Sequence, residues 1–173
     1  MPDKLIGAAV RGSTIAEVQA NIARAEELGV HAAWMTTGGA SLDSLTCFAA
    51  SAAAANSIKL GTSIIPTYPR HPLVVAQQAQ VVAQLAPGRL RLGVGPSHRQ
   101  MMESMGIDFN KPLAHLREYI HILKSILQTG SVDFKGEHYS ATANIAGPLD
   151  VQIMGSALRT GSFKLCGAVA DGA

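Results

Sequence analysis

Apolar stretches begin near residues 5, 32, 60 and 90, and a helical pattern separates each from the next. A strand followed by a helix, repeated about every thirty residues, builds a parallel sheet whose crossovers are the helices. Two architectures share that rhythm, the (β/α)8 barrel and the doubly wound sheet. The first strand-to-helix turn, LIGAAVRGST, lacks the GxGxxG spacing of a dinucleotide fold, which favours the barrel. A fifth strand is expected at Val151 to Met154. A barrel typically takes about 250 residues. The expected fold is therefore α/β, of the (β/α)8 TIM-barrel type and truncated after about five βα units. One domain spans residues 1–173, with a small insert at about 131–148.

Local signals support each unit. Leu5 to Val10 reads as a fully buried strand, and Thr14 with Glu17 three residues later has capping-box spacing. Ile15, Val18, Ile22 and Ala25 then recur at helical intervals until Gly29. After the strand Ala32 to Met35, Ser41 or Asp43 caps an alanine-rich helix expected to reach about Asn56. Pro72 opens the third helix, through Val75, Ala79, Val82 and Leu85 to a stop at Pro87-Gly88. From Pro112 a stripe of Leu113, Leu116, Ile120, Leu123 and Leu127 runs to Gly130. Residues 132–139 read as a hairpin around Lys135-Gly136, with a looser segment to Pro148, and Phe163, Leu165 and Val169 mark a last helix.

The third unit carries the most unusual chemistry. Leu60 to Ile65 is a strand with small and polar groups, Gly61, Thr62 and Ser63, inside it, as if something approaches its backbone. Pro66, Pro69 and Pro72 then stiffen the turn bearing Thr67, Tyr68, Arg70 and His71. Two readings stay open, a rigid turn behind a buried strand or a loop that holds a ligand. In either parallel architecture ligands gather where strands end. Those places hold Thr36 and Thr37, Ser63 to His71, Ser97 to Arg99, and Ser156 to Ser162. His98 is a candidate acid or base there, against the plainer reading of a loop histidine bonded to backbone. Arg70 and His71 divide between anchoring the third helix and touching a ligand. His31, His115, His121 and His138 sit at surface-like positions and receive no role. Met101, Met102 and Met105 read as packing rather than as a substrate pocket, and Trp34 as core.

Composition excludes several classes. With 47% hydrophobic and 15% charged residues in 173, the chain can bury a sizeable core. A net charge of +2 without a basic run gives no reason to expect nucleic acid. No apolar run has membrane length, and Asp3 with a short apolar stretch argues against a leader, so a cytoplasmic location is expected. Cys47 and Cys166 lie far apart without CxxC or Cys/His clusters, so they read as buried thiols, with no disulfide or metal site.

The segments IKLGTSIIPTYPRHPLVVAQQA, LAPGRLRLGVGPSH, LAHLREYIHILKSIL and SALRTGSFKLCGAVADGA, in this order and spacing, resemble the luciferase-like monooxygenase superfamily, in its coenzyme F420-dependent oxidoreductase branch. The resemblance covers nearly the whole chain. It implies a usually dimeric barrel that transfers a hydride between deazaflavin F420, or alternatively FMN, and a small organic substrate. By position it implies a non-proline cis peptide at Ser63-Ile64 behind the ring, and a phosphate site at Gly161 and Ser162 with Arg159 adding charge. Thr36, Thr37, Ser63, Ile64, Gly95, Ser97, Ser156, Gly161 and Ser162 are the candidate cofactor-binding residues, and His98 the candidate catalytic one. The sequence departs from the branch where an Asp-His pair and an acid are common: it has Thr37-Gly38 and Pro96-Ser97-His98. The rival expectation is a truncated chain that self-associates or binds cofactor without turnover, since a half-open barrel leaves apolar strands uncovered.

Overall fold

The computed structural model describes residues 5–173, so Asp3 and the terminus read above against a leader lie outside the described residues. In chain order the elements are β1 (Gly7–Ala9), α1 (Ile15–Glu27), β2 (Ala32–Met35), α2 (Ser44–Ser51), β3 (Lys59–Thr62), β4 (Ile65–Pro66), α3 (Pro72–Leu85) and β5 (Leu90–Gly95). There follow α4 (Arg99–Ser104), α5 (Pro112–Lys124) with a π-helical continuation over Ser125–Thr129, β6 (Ser131–Lys135), β7 (Ser140–Asn144), β8 (Gln152–Gly155) and α6 (Thr160–Val169). Among the described residues, no helix is long and apolar enough to cross a membrane.

Strand order decides what periodicity left open. β1 pairs with β2, β2 with β3, β3 and β4 with β5, and β5 with β8, all in parallel. Neighbours in space are thus neighbours in sequence, and the order never reverses as it does in a doubly wound sheet. Consecutive helices also pack on one another, α1 on α2, α2 on α3, α3 on α5 and α5 on α6. That is part of a barrel wall, with helices on one face and the strands' inner face on the other. After α6 the chain returns beside β8, where the Gly155 N–H donates to the Gly172 carbonyl (2.9 Å) and the Asp171 N–H to the Ile153 carbonyl (2.8 Å).

The core lies between sheet and helices. Leu60, Leu92 and Ile153 point outward from the strands and meet Val18, Ile22, Phe48, Val75, Leu116 and Ile120, all fully buried. Each such side chain contributes about 1.5–3 kcal/mol by leaving water. Local signals hold where caps decide: the Thr14 hydroxyl accepts the Glu17 N–H, and Gly29 (φ +74°) and Gly130 (φ +89°) end their helices in the left-handed region that favours glycine. Cys47 and Cys166 are both buried and free.

Five expectations need correction. β1 is not fully buried: Leu5 is 82% exposed, because this strand is at the sheet's edge and faces the open inner side. α2 stops at Ser51 rather than near Asn56, where the Arg89 guanidinium takes over its carbonyls, donating to those of Ala52 (2.8 Å) and Ala55 (2.5 Å). The strand from Leu60 to Ile65 is broken in two, β3 and β4, around a cis peptide at Ser63-Ile64. The hairpin is longer than residues 132–139: β6 and β7 pair antiparallel from Ser131–Asn144 to Lys135–Ser140, and residues 136–139 form its turn.

Trp34 is half-buried rather than core. Its indole crosses the inner face, and a Cβ on Gly61 would lie 2.3 Å from the ring, one on Gly7 2.6 Å from Nε1. The close approach read from Gly61 is this tryptophan.

Candidate functional site

The rim where the strands end is built by two hydroxyls and two glycines. Trp34 faces inward, so Thr36, two residues on, does too, and its hydroxyl donates to the Ser63 carbonyl (3.0 Å). The Ser63 N–H donates to the Met35 carbonyl (2.9 Å), which holds the end of β3 against β2. On the other side β5 makes room. A Cβ on Gly93 would sit 2.0 Å from the Thr62 carbonyl oxygen, and one on Gly95 would sit 2.1 Å from the Ser156 Oγ and 3.4 Å from Ile64. The glycines of LRLGVG therefore let the neighbouring strands and the Ile64 side chain close in. Thr36, Ser63, Ile64, Gly95 and Ser156 come together here, with Thr36 and Ser63 exposed.

The other candidates are placed differently. Thr37 turns toward α2: its hydroxyl lies 2.6 Å from that of Ser44 and accepts the Ser44 N–H (3.2 Å). Ser97 has φ +64°, and its hydroxyl donates to the Met101 sulfur (3.5 Å). His98 is exposed at the N-cap of α4 and makes no side-chain cap bond, so the backbone-bonded reading does not describe it. Ser162 caps α6, its Oγ accepting the N–H groups of Leu158 (3.2 Å) and Arg159 (3.1 Å). The N–H groups of Thr160, Gly161 and Ser162 lead that helix with no carbonyl a turn before them, and Gly161 lies against Leu113 of α5.

Arg70 and His71 serve the scaffold. Arg70 pairs with Asp43 (2.6 Å), and His71 Nδ1 accepts the Leu73 N–H (3.2 Å) as the cap of α3. Burial pushes the Asp43 carboxyl up, but the Thr46 N–H and hydroxyl and the Arg70 guanidinium outweigh it and hold it below the usual range. The methionines divide. Met102 is buried and Met105 exposed, and with Met101 both line a cavity of about 140 Å³ beside Thr37, Gly38, Pro66 and Pro69.

Sequence reasoning missed His115. It is only 4% exposed, between the rim loop and the hairpin, and burial, helped by His138 against an opposing pull from Glu118, lowers its pKa to about 4. Its spacing to Tyr119, Ile122 and Ile126, all buried, was the available signal: these positions recur at helical intervals beside the leucine stripe.

Comparison with known proteins adds the family. The family model described as luciferase-like monooxygenase matches residues 3–173. An F420-dependent glucose-6-phosphate dehydrogenase from Beutenbergia cavernae is 34% identical over 146 residues, 80% of this chain and 44% of the relative. A 5,10-methylenetetrahydromethanopterin reductase from Methanolobus tindarius is 30% identical over 152 residues, 86% and 46% of the two chains. Among solved structures, the coenzyme F420 dependent tetrahydromethanopterin reductase of Methanopyrus kandleri superposes with a TM-score of 0.84 at 22% identity, over 96% of this chain and 53% of that one. The chain thus spans about half the length of the relatives it matches.

Proposed function

This chain belongs to the luciferase-like monooxygenase family, and from that premise we propose that it forms part of an oxidoreductase using coenzyme F420 with an organic substrate. The observation that carries the reading is the rim itself. Thr36, Ser63, Ile64, Gly95 and Ser156 converge on the inner face, beside the unpaired N–H groups that open α6. The relatives named for F420 support the choice of cofactor. When bound, the deazaflavin supplies a ring that takes up or releases a hydride; the protein orients it.

The chain's own residues divide the work. Ser63 and Ile64 back the ring, and Thr36 keeps the Ser63 carbonyl in place. The first turn of α6, with Gly161 and Ser162, holds the phosphate, as helix N-termini do for anions. His98, exposed on the rim, gives or takes the proton that accompanies the hydride. The cavity beside Met101 and Met105 takes an apolar part of the substrate. A homodimer belongs to the same reading and is read by sizing the purified chain.

The test is a fluorescence titration of the purified chain with F420 and, in parallel, FMN. A Gly161→Asp variant places a carboxylate where the phosphate would sit, at a helix end that a carboxylate otherwise stabilises. Saturable F420 binding, weakened at least tenfold in the variant without loss of thermal stability, is expected. Preferential FMN binding would move the reading to a flavin enzyme, and binding of neither would overturn it.

A further inference from the structure

The hairpin β6–β7 reaches the rim through a closed ring of hydrogen bonds around a buried histidine. His115 stands in the first turns of α5, its Nε2 2.6 Å from the Tyr139 hydroxyl and its Nδ1 3.3 Å from the Thr67 Oγ1. The Tyr139 hydroxyl also lies 3.2 Å from the Thr67 carbonyl. One proton arrangement satisfies all three contacts. Nε2–H donates to the Tyr139 oxygen, the Tyr139 O–H donates to the Thr67 carbonyl, and the Thr67 hydroxyl donates to Nδ1. The other tautomer would leave the Tyr139 oxygen and the Thr67 carbonyl facing each other without a proton.

Each member of the ring is held from outside. Tyr68 stacks on the His115 imidazole, with ring centroids 3.8 Å apart and planes 7° from parallel, and its hydroxyl donates to the Asn110 carbonyl (2.5 Å). The Glu118 carboxylate accepts the N–H groups of Glu137 (2.9 Å), His138 (2.9 Å) and Tyr139 (3.0 Å), which fixes the hairpin turn on α5. On the rim side the Thr67 N–H donates to the Gly95 carbonyl (2.9 Å), while Ile65 and Pro66 pair with Val94 and Gly95. A continuous path of bonds thus runs from the hairpin turn to Ser63-Ile64 and Gly95.

We propose that His115 and Tyr139 are positioning residues that fix the Pro66–Tyr68 segment, so that the hairpin insert sets the geometry of the rim. The inference rests on the cofactor site proposed above for its functional meaning, but not for its test. Buried polar rings of this kind hold one arrangement because a missing member leaves the others unpaired.

Hydrogen exchange on the cofactor-free chain tests it, comparing wild type with Tyr139→Phe, which removes one oxygen, and His115→Phe, which keeps an aromatic ring beside Tyr68. Thr142→Val, outside the ring on the same hairpin, is the control. The expected result for Tyr139→Phe is at least tenfold faster exchange at the Ser63 and Thr67 amides with the Leu60 and Arg89 amides unchanged, and no change at any of them in the control. Unchanged rim exchange, or equal acceleration at Leu60 and Arg89, would overturn the proposal. A second readout is F420 titration, where Tyr139→Phe is expected to weaken binding five- to tenfold. If wild type binds no F420, the functional reading fails, while the exchange data still judge the positioning role. Should His115→Phe not fold, Tyr139→Phe decides alone.

Discussion

The two ends of the strands solve opposite problems. Where the strands begin, charge is spent on backbone: the half-buried Glu26 carboxylate accepts the N–H groups of Asn56, Ser57 and Ile58 and the Ser57 hydroxyl, and the buried Arg89 donates to the carbonyls that α2 leaves open. Lys59 and Arg91 both donate to the Gly88 carbonyl. Where the strands finish, Thr36, Ser63 and His98 stay exposed and the leading N–H groups of α6 stay unpaired. One end is closed on itself, the other keeps donors in reserve, and the ring at His115 is the place where the open end is braced. Barrels separate stability from chemistry in this direction.

Substitutions can break that contrast. The largest effect is expected from Gly93→Ala, whose new Cβ meets the Thr62 carbonyl: a loss of about 3 kcal/mol or more in chemical denaturation, since backbone cannot yield as a side chain can. A loss under 1 kcal/mol would show that β3 and β5 are free to part. Glu26→Gln comes next, at about 1–2 kcal/mol, because an amide accepts these N–H groups more weakly. Its effect is also pH-dependent. The bonds from Ser57, Asn56 and Ile58 outweigh desolvation and hold the Glu26 pKa at about 2, below its usual 4.5. The stabilisation is full above pH 4.5 and disappears as pH falls toward 2, so wild type and variant converge in acid.

His115 gives the braced rim a different acid response. Its pKa in the folded chain, about 4, lies below the ordinary 6.5, so the unfolded state binds a proton first. Stability therefore falls as pH drops from 6.5 to 4, and thermal melts across that window should flatten in His115→Phe. His98→Ala is expected to change stability by less than about 0.5 kcal/mol in chemical denaturation, as befits an exposed side chain. Smallest of all is Glu27→Gln, which loses only the exposed pair with Arg24 (3.0 Å): about 0.3 kcal/mol.

Much of the scaffold was readable because its signals are local. Thr14, Gly29, Pro72 and Gly130 mark helix ends through their own backbone preferences, and the strand rhythm needs only a count. What escaped depends on partners far away in sequence. The end of α2 is set by Arg89, more than thirty positions on, and the length of the hairpin by cross-strand pairing that a Lys-Gly turn does not reveal. Helical spacing can mark His115 as sharing a buried face with Tyr119, Ile122 and Ile126, but its purpose comes from Tyr139 and Thr67, which only the fold brings to it. The glycines of β5 could be recognised as special, but not as space reserved for Thr62, Ile64 and Ser156.

Trp34 is the one tryptophan of the sequence, and it lies across the inner face between Gly7 and Gly61. The molecule therefore has a built-in optical gauge: the colour of its indole emission reports how wet the inner face is, without any label. Whatever fills that face, ligand or polypeptide, will shift the emission to shorter wavelength.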